Sequence, residues 1–341
     1  MDKNKIAGND FIKKLFGRSE VTVIIAVLFL GLIFSVFSQS FLTAYNLFNM
    51  SRTAAIYIFI AIGQALVVIV GGMNLSLGYI GGLTVVAAGY SMQNFKVSPL
   101  AAILIGLAVG ALAGAANGLI ITVLKLNSFV VTLATSFVFS GLINGISQGS
   151  PYNGIPESFT FIGREGFIGI PYLLWLAILA LSLLGYFFKF TVTGRRLLAT
   201  GGNAEAAKMS GVDTAKMTIL ANVGSGIFAA IAGLLWISRT GSAQPSTGAD
   251  WMVVSFAVAV IGGTALKGGV FNPIGVFFAG FLIVIVKNGL VMLNANVYFE
   301  AAYLGLILLL AVSLDSIKDI MDARKMKRSL KKSTKLECHY E

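Results

Sequence analysis

Two stretches of the chain set hydrogen-bonding side chains beside glycine pairs in otherwise apolar surroundings. "VIVGGMNLSLGYIGG" (68–82) carries Asn74 and Ser76, and "AVIGGTALKGGVFNPIG" (259–275) carries Thr264. An amide or hydroxyl next to unwound glycine backbone offers donors and acceptors to a hydroxylated solute without breaking any bond in it. Gln64, Asn117, Asn144 and Asn288 are further amides in or beside apolar runs. These seven residues are the candidate lining of a solute path. Hydrogen bonding between helices is the competing use of each.

The side chains that reactions need are missing from the pattern. Cys338 and His339 are the only cysteine and histidine, both in a polar tail, so the sequence offers neither an internal disulfide nor a His/Cys metal cluster. No nucleophile–base pair stands out, and no Gly-x4-Gly-Lys-Ser/Thr phosphate loop is present, so the expectation is a non-enzyme without a cofactor. None of the 14 acidic residues falls well inside an apolar run; Glu300 and Asp315 only bound the last one. A proton- or sodium-coupled carrier ordinarily needs carboxylates there. Uphill transport would therefore draw its energy from a partner, and a passive channel is the alternative from another class.

The elements that must position these residues are membrane helices. The chain is 57% hydrophobic and 11% charged, with a mean hydropathy of +0.86, against roughly 25% charged residues in an ordinary soluble protein. Runs of about 20 apolar residues place ten spans: 21–39, 53–72, 76–93, 99–124, 127–147, 171–189, 216–237, 252–267, 271–289 and 299–315. The divisions near 73–75 and 268–270 are soft, resting on glycine and a few polar residues. The first run follows a basic start and could pass for a signal peptide, but its removal would spoil the even count. The expectation is an all-α polytopic protein with related halves (spans 2–5 and 7–10) and basic tails at 1–20 and 316–341. Small residues in "AVGALAGAANG" (108–118) repeat at i, i+4, the spacing that lets helix backbones approach.

The net charge of +11 is not spread as a nucleic-acid surface would be. With both termini inside, 20 of the 25 Lys and Arg fall in inside segments, and only Arg52, Lys96, Arg164 and Arg239 fall outside. The last, Lys287, lies within the ninth span. That asymmetry follows the positive-inside rule, with anionic lipid as a secondary attraction.

One inside segment, 190–215, is unusually polar: "TGRRLLATGGNAEAAKMSGV" (193–212). Asn203 suits an N-cap, Glu205 the first turn and Gly211 the left-handed C′ position, which predicts a short helix over Ala204–Ser210. This stretch resembles the coupling loop of ribose-type sugar ABC transporter permeases, in which Gly-Arg-Arg, Gly-Gly-Asn and Glu-Ala-Ala precede Ser-Gly. "GGMNLSLGYIGGL" (71–83), "GIPESFTFIGREGFIGIP" (154–171) and "AVIGGTALKGGVFNPIGV" (259–276) are similar to three more of that family's stretches, in order and over roughly 45–315.

The resemblance implies a permease subunit of the bacterial inner membrane, paired with a second copy or a sister permease. Two cytoplasmic ATPase subunits would receive the coupling loop, through Gly194, Arg195, Arg196, Gly201, Gly202, Asn203, Glu205, Ala206 and Ala207. An extracytoplasmic solute-binding protein would deliver a monosaccharide or similar small polar solute. A nucleoside, autoinducer or branched-chain amino acid is the alternative cargo. Asn74 stands where the family has Asp, Lys267 at or beside a usual Ser, and the acidic residue often found before the eighth span's apolar run is missing, since "DWMVVSFAVAV" carries only Asp250 near its start.

Overall fold

A computed structural model describes residues 19–293 and, beyond them, 296, 299, 302, 303, 305, 306 and 309. The chain clusters into two units, Met1–Val297 and Tyr298–Glu341, and every element named below belongs to the first. The basic tails and most of the expected 299–315 span fall outside the described residues.

The elements are α1 Ser19–Phe37, α2 Ala44–Ile69, α3 Leu77–Phe95, α4 Pro99–Val123, α5 Ser128–Ser147, α6 Glu157–Arg164, β1 Gly166–Phe167, β2 Ile170–Pro171, α7 Tyr172–Phe190, α8 Val192–Gly202, α9 Ala204–Met209, α10 Thr214–Thr240, α11 Trp251–Ile261 and α12 Pro273–Met292. Seven of the described helices are long and apolar enough to cross a membrane: α1, α2, α4, α5, α7, α10 and α12. The ten expected spans are thus not all matched. α3 is long enough, but its Gly-rich, Ser/Gln/Asn-bearing sequence is less apolar than a lipid-facing span. α11 has only 11 residues because Gly262–Gly263 stops it well short of the expected 267. α2 begins nine residues before the expected 53, where the Thr43 hydroxyl caps it by accepting from Asn46 N at 3.4 Å. The 154–171 loop folds as the short helix α6 and a β1–β2 hairpin, neither of them foreseen.

α2 is the hub, with every residue from Ala54 to Ile69 buried. α10 packs beside it, and α4 lies backbone to backbone on α10. A Cβ at Gly110 would overlap the Gly226 carbonyl, and one at Gly114 would overlap that of Asn222. Gly118 is pressed on Ile219 in the same way, so the i, i+4 glycines read from 108–118 are the contact surface. α1 closes the bundle against α12, where the Phe34 ring fills the space above Gly289. Ser38 Oγ donates to Met292 Sδ at 3.5 Å on the same seam.

Loop contacts gather basic residues at two ends of the bundle. Met73 N donates to Ser128 Oγ (3.1 Å), joining the 70–76 break to the 124–127 turn that carries Lys125. The α8–α9 segment and residues 268–269 meet the end of α2 at this same end. At the other end, Asn153 N donates to Gln93 Oε1 (2.9 Å), Tyr152 pairs with Ala243, and Gly163 N donates to Ser238 Oγ (2.9 Å). These contacts gather Lys96, Arg164 and Arg239.

Candidate functional site

At the first of these ends three glycine-bearing segments form one junction. A Cβ at Gly201 would overlap the Ile69 carbonyl oxygen at the end of α2. Gly268 lies against the Gly201 carbonyl, Gly269 lies against Gly202, and Gly269 N donates to Ile69 O at 2.8 Å. Gly268 and Gly269 have φ of 86° and 78°, a region closed to most side-chain-bearing residues. The Gly-Gly of the polar 190–215 segment and that of 262–272 therefore touch each other and the broken end of α2. α8 was not expected as a helix. It forms because Thr191 caps it, accepting from Gly194 N at 3.0 Å, and because Gly194, Leu197 and Thr200 share a buried face.

α9 follows directly and is the short helix expected, ending one residue early at Met209. Asn203 Oδ1 accepts from Ala206 N at 3.0 Å. At the other end Gly211 (φ 81°) sits in the left-handed region, with Gly211 N donating to Lys208 O and Val212 N to Ala207 O, both at 3.0 Å. That pair of bonds is the Schellman closure. The side chains divide: Ala207 turns inward and is buried, whereas Glu205, Ala206 and Met209 are exposed. Arg195 and Arg196 are exposed as well. Met209, 90% exposed, was not singled out from sequence; an apolar side chain wholly in solvent on a capped helix was the available signal.

The seven candidate path residues do not form one group. Asn74, Ser76 and Asn117 come together with Ser225, all enclosed. Asn74 Nδ2 donates to Ser225 Oγ (2.9 Å), and Asn74 Oδ1 accepts from Ser76 N (3.1 Å) and Ser76 Oγ (2.8 Å). Asn117 Nδ2 donates to Ser76 Oγ at 2.8 Å. Leu75 N donates to Thr132 Oγ1 at 3.1 Å beside them. Asn288 forms a reciprocal amide pair with Asn46 (2.9 and 3.0 Å) that ties α12 to α2. Asn144 is exposed near the end of α5. Thr264 and Gln64 are buried, and neither the Thr264 hydroxyl nor either Gln64 amide atom has a hydrogen-bond partner.

The opposite end is cationic. Arg239 Nη1 donates to Thr53 Oγ1 (2.8 Å), and Arg52 reaches Asn49 and the Gly163 carbonyl. Among the described residues none of Arg52, Arg164 and Arg239 has a carboxylate partner. Their guanidiniums lean instead on aromatic faces, Arg52 on Phe48 and Arg239 on Trp236. Burial, with Tyr90 nearby, pushes the Tyr152 phenol above its usual pKa, so it stays a hydroxyl that donates to Ile146 O at 3.0 Å. One turn below Thr53, Lys287 Nζ donates to Tyr57 Oη (2.8 Å) and pairs with Asp250 (3.2 Å).

Two glycine-bearing helix breaks, the α8 helix seated on them and an apolar bundle are the parts of a transporter membrane subunit. Comparison with known families agrees: the family described as branched-chain amino acid transport system / permease component matches residues 46–312. The chain belongs to that family. The ribose import permease protein RbsC of Escherichia coli (strain K12) is 30% identical over 322 residues, covering 93% of this chain and 100% of the relative. RbsC of Bacillus subtilis (strain 168) is 35% identical over 298 residues, 85% of this chain and 92% of the relative. The galactose/methyl galactoside import permease protein MglC of Escherichia coli (strain K12) is 32% identical over 318 residues, covering 87% and 94%. No solved structure matches the chain.

Proposed function

We propose that this permease forms the membrane path of a binding-protein-dependent ABC importer for a monosaccharide. Relatives printed as ribose and galactose import permeases support the cargo class. α3, α11 and the expected 299–315 segment bring the crossings from seven to ten, with both termini on the cytoplasmic face of the inner membrane. Two copies, or this chain with a sister permease, sit on two ATPase subunits and receive solute from an extracytoplasmic binding protein. The chain itself supplies no ATP chemistry.

The observation that carries the reading is the backbone-to-backbone seat of Gly201–Gly202 on Ile69 and Gly268–Gly269. With no side chain between them, a displacement of α9 by a partner has little compliance to lose before it reaches both helix breaks. Glu205, Ala206 and Met209 present the outward face of α9 to the ATPase, and Arg195 and Arg196 flank it at the membrane surface.

The test is a cysteine at Ala206 in a Cys338→Ser background, together with Ala206→Trp. The cysteine should crosslink to a cytoplasmic ATPase. The tryptophan should leave permease abundance normal and remove ATP-dependent uptake, since bulk in a packed contact costs about 1–3 kcal/mol. Normal uptake by Ala206→Trp with no crosslink would overturn the assignment.

A further inference from the structure

Most buried polar groups of the bundle are paired, and Gln64 on α2 is the one buried amide among the described residues with neither its oxygen nor its nitrogen hydrogen-bonded. Asn49, Thr53 and Tyr57 follow at i, i+4 and i+8, and Gln64 lies seven residues past Tyr57, so all four share a helix face. Its outer part holds the Arg239–Thr53 bond, and its middle holds the Lys287–Tyr57–Asp250 group. Lys287 is an ammonium within a membrane-spanning helix, its side chain 15% exposed, while its partner carboxylate is 57% exposed. The group is therefore exposed on one side. Deeper on the same face Gln64 is wholly enclosed, with neither its amide oxygen nor its amide nitrogen hydrogen-bonded.

An unpaired buried amide costs about 1–3 kcal/mol, and an ion inside a span is costly too. Leucine or methionine would fill either place without that cost, so packing does not explain the choice. The Asn74–Ser76–Asn117 cluster, equally enclosed, differs in being largely bonded to itself.

We propose that this face of α2, facing Asp250 and Lys287, is the solute lane, with the Lys287–Tyr57–Asp250 group as its outer station and Gln64 as its inner one. The inference rests on the importer reading and names the path within it. The lane's chemistry fits a neutral polyhydroxyl solute. Asp250 accepts from hydroxyls, Lys287 donates to them, and the Gln64 amide does both. Lys287 and Asp250 cancel in charge, so the station selects for hydroxyl groups and not for an anion. Gln64 lies five residues, about 7–8 Å along the helix axis, from the Ile69 carbonyl in the glycine junction. A shift of the junction is thus placed to open or close the inner station.

Two experiments in cells of the native host test it, both in a Cys338→Ser background. Single cysteines replace Tyr57, Gln64 or Asn117, and the probe is the small methanethiosulfonate ethylammonium. Tyr57→Cys and Gln64→Cys should react during uptake, and saturating D-ribose or D-galactose should slow them, whereas Asn117→Cys should stay inert. If Asn117→Cys reacts and Gln64→Cys does not, with Ala206→Cys reacting after permeabilisation, the lane is wrong. The second experiment compares Lys287→Met, Asp250→Leu and the double variant at equal abundance. All three should lose uptake about tenfold or more, the double no better than the singles. Recovery in the double variant would make the pair a structural tie and overturn the outer station. Uptake that persists without ATP would instead reject the importer reading, whatever the labelling shows.

Discussion

The two helix breaks echo each other in sequence but are held by different means. The first, 70–76, is pinned by side chains: Ser128 holds Met73 N, Thr132 holds Leu75 N, and Asn74 ties Ser76 to Ser225 on α10. The second, 262–272, meets its neighbours through backbone at Gly268 and Gly269, and the Thr264 hydroxyl bonds to nothing. A break fixed by directional side-chain bonds keeps its shape, whereas one seated on glycine backbone can shift as a body. We expect the first break to be the fixed side of the junction and the second the moving side.

The largest effect should come from the place where both meet. Gly201→Ala drives a methyl into the Ile69 carbonyl and forces α8 off its seat. We expect a loss of about 3 kcal/mol, read by thermal unfolding of the purified permease, with uptake abolished. Wild-type stability would show that the junction is loose and that the breaks do not meet as described.

Next comes the pin of the first break. Asn74→Leu strands Ser76 and Ser225 in an enclosed site and should cost about 2–3 kcal/mol in the same measurement. Asn74→Asp keeps the acceptors but buries a carboxylate, whose folded pKa burial raises above its unfolded value. The folded form then holds the proton more tightly, so the variant should gain stability as pH falls from about 7.5 toward 5. A flat pH response relative to wild type would mean that water reaches this break.

The smallest effect is expected at the second break. Thr264→Val removes a hydroxyl that has no partner and should change stability by less than about 0.5 kcal/mol, or raise it slightly. A loss near 2 kcal/mol would reveal a bond that pins this break too, and the contrast between the breaks would vanish.

What was legible in the sequence obeyed local rules. Asn203 and Gly211 bound α9 because cap and C′ preferences act within a single turn. The glycines of 108–118 marked a contact surface, although not which helix they meet. α8 was read as loop because its glycines mask a buried face at positions 194, 197 and 200, which forms only against the bundle. Among the path candidates, Asn74, Ser76 and Asn117 are legible as polar groups in or beside apolar runs, but pairing across 41 or 151 residues has no local signature. The same reason hid the Asn46–Asn288 clasp and the Lys287–Asp250 pair, since periodicity reports which face a residue occupies and not what stands opposite.

The seam between α1 and α12 bears on how the protein is made. Phe34 packs on Gly289, 255 residues later in the chain. At roughly 5–20 residues per second, the first helix waits on the order of 10–50 s in the bilayer before its docking surface has been synthesised. During that interval it is held by its own hydrophobicity alone, and its sequence, "SEVTVIIAVLFLGLIFSVF", is suited to lipid on every side. Nascent chains arrested before α12 should therefore carry an inserted but undocked first helix, the kind of orphan that membrane proteases and insertase chaperones recognise.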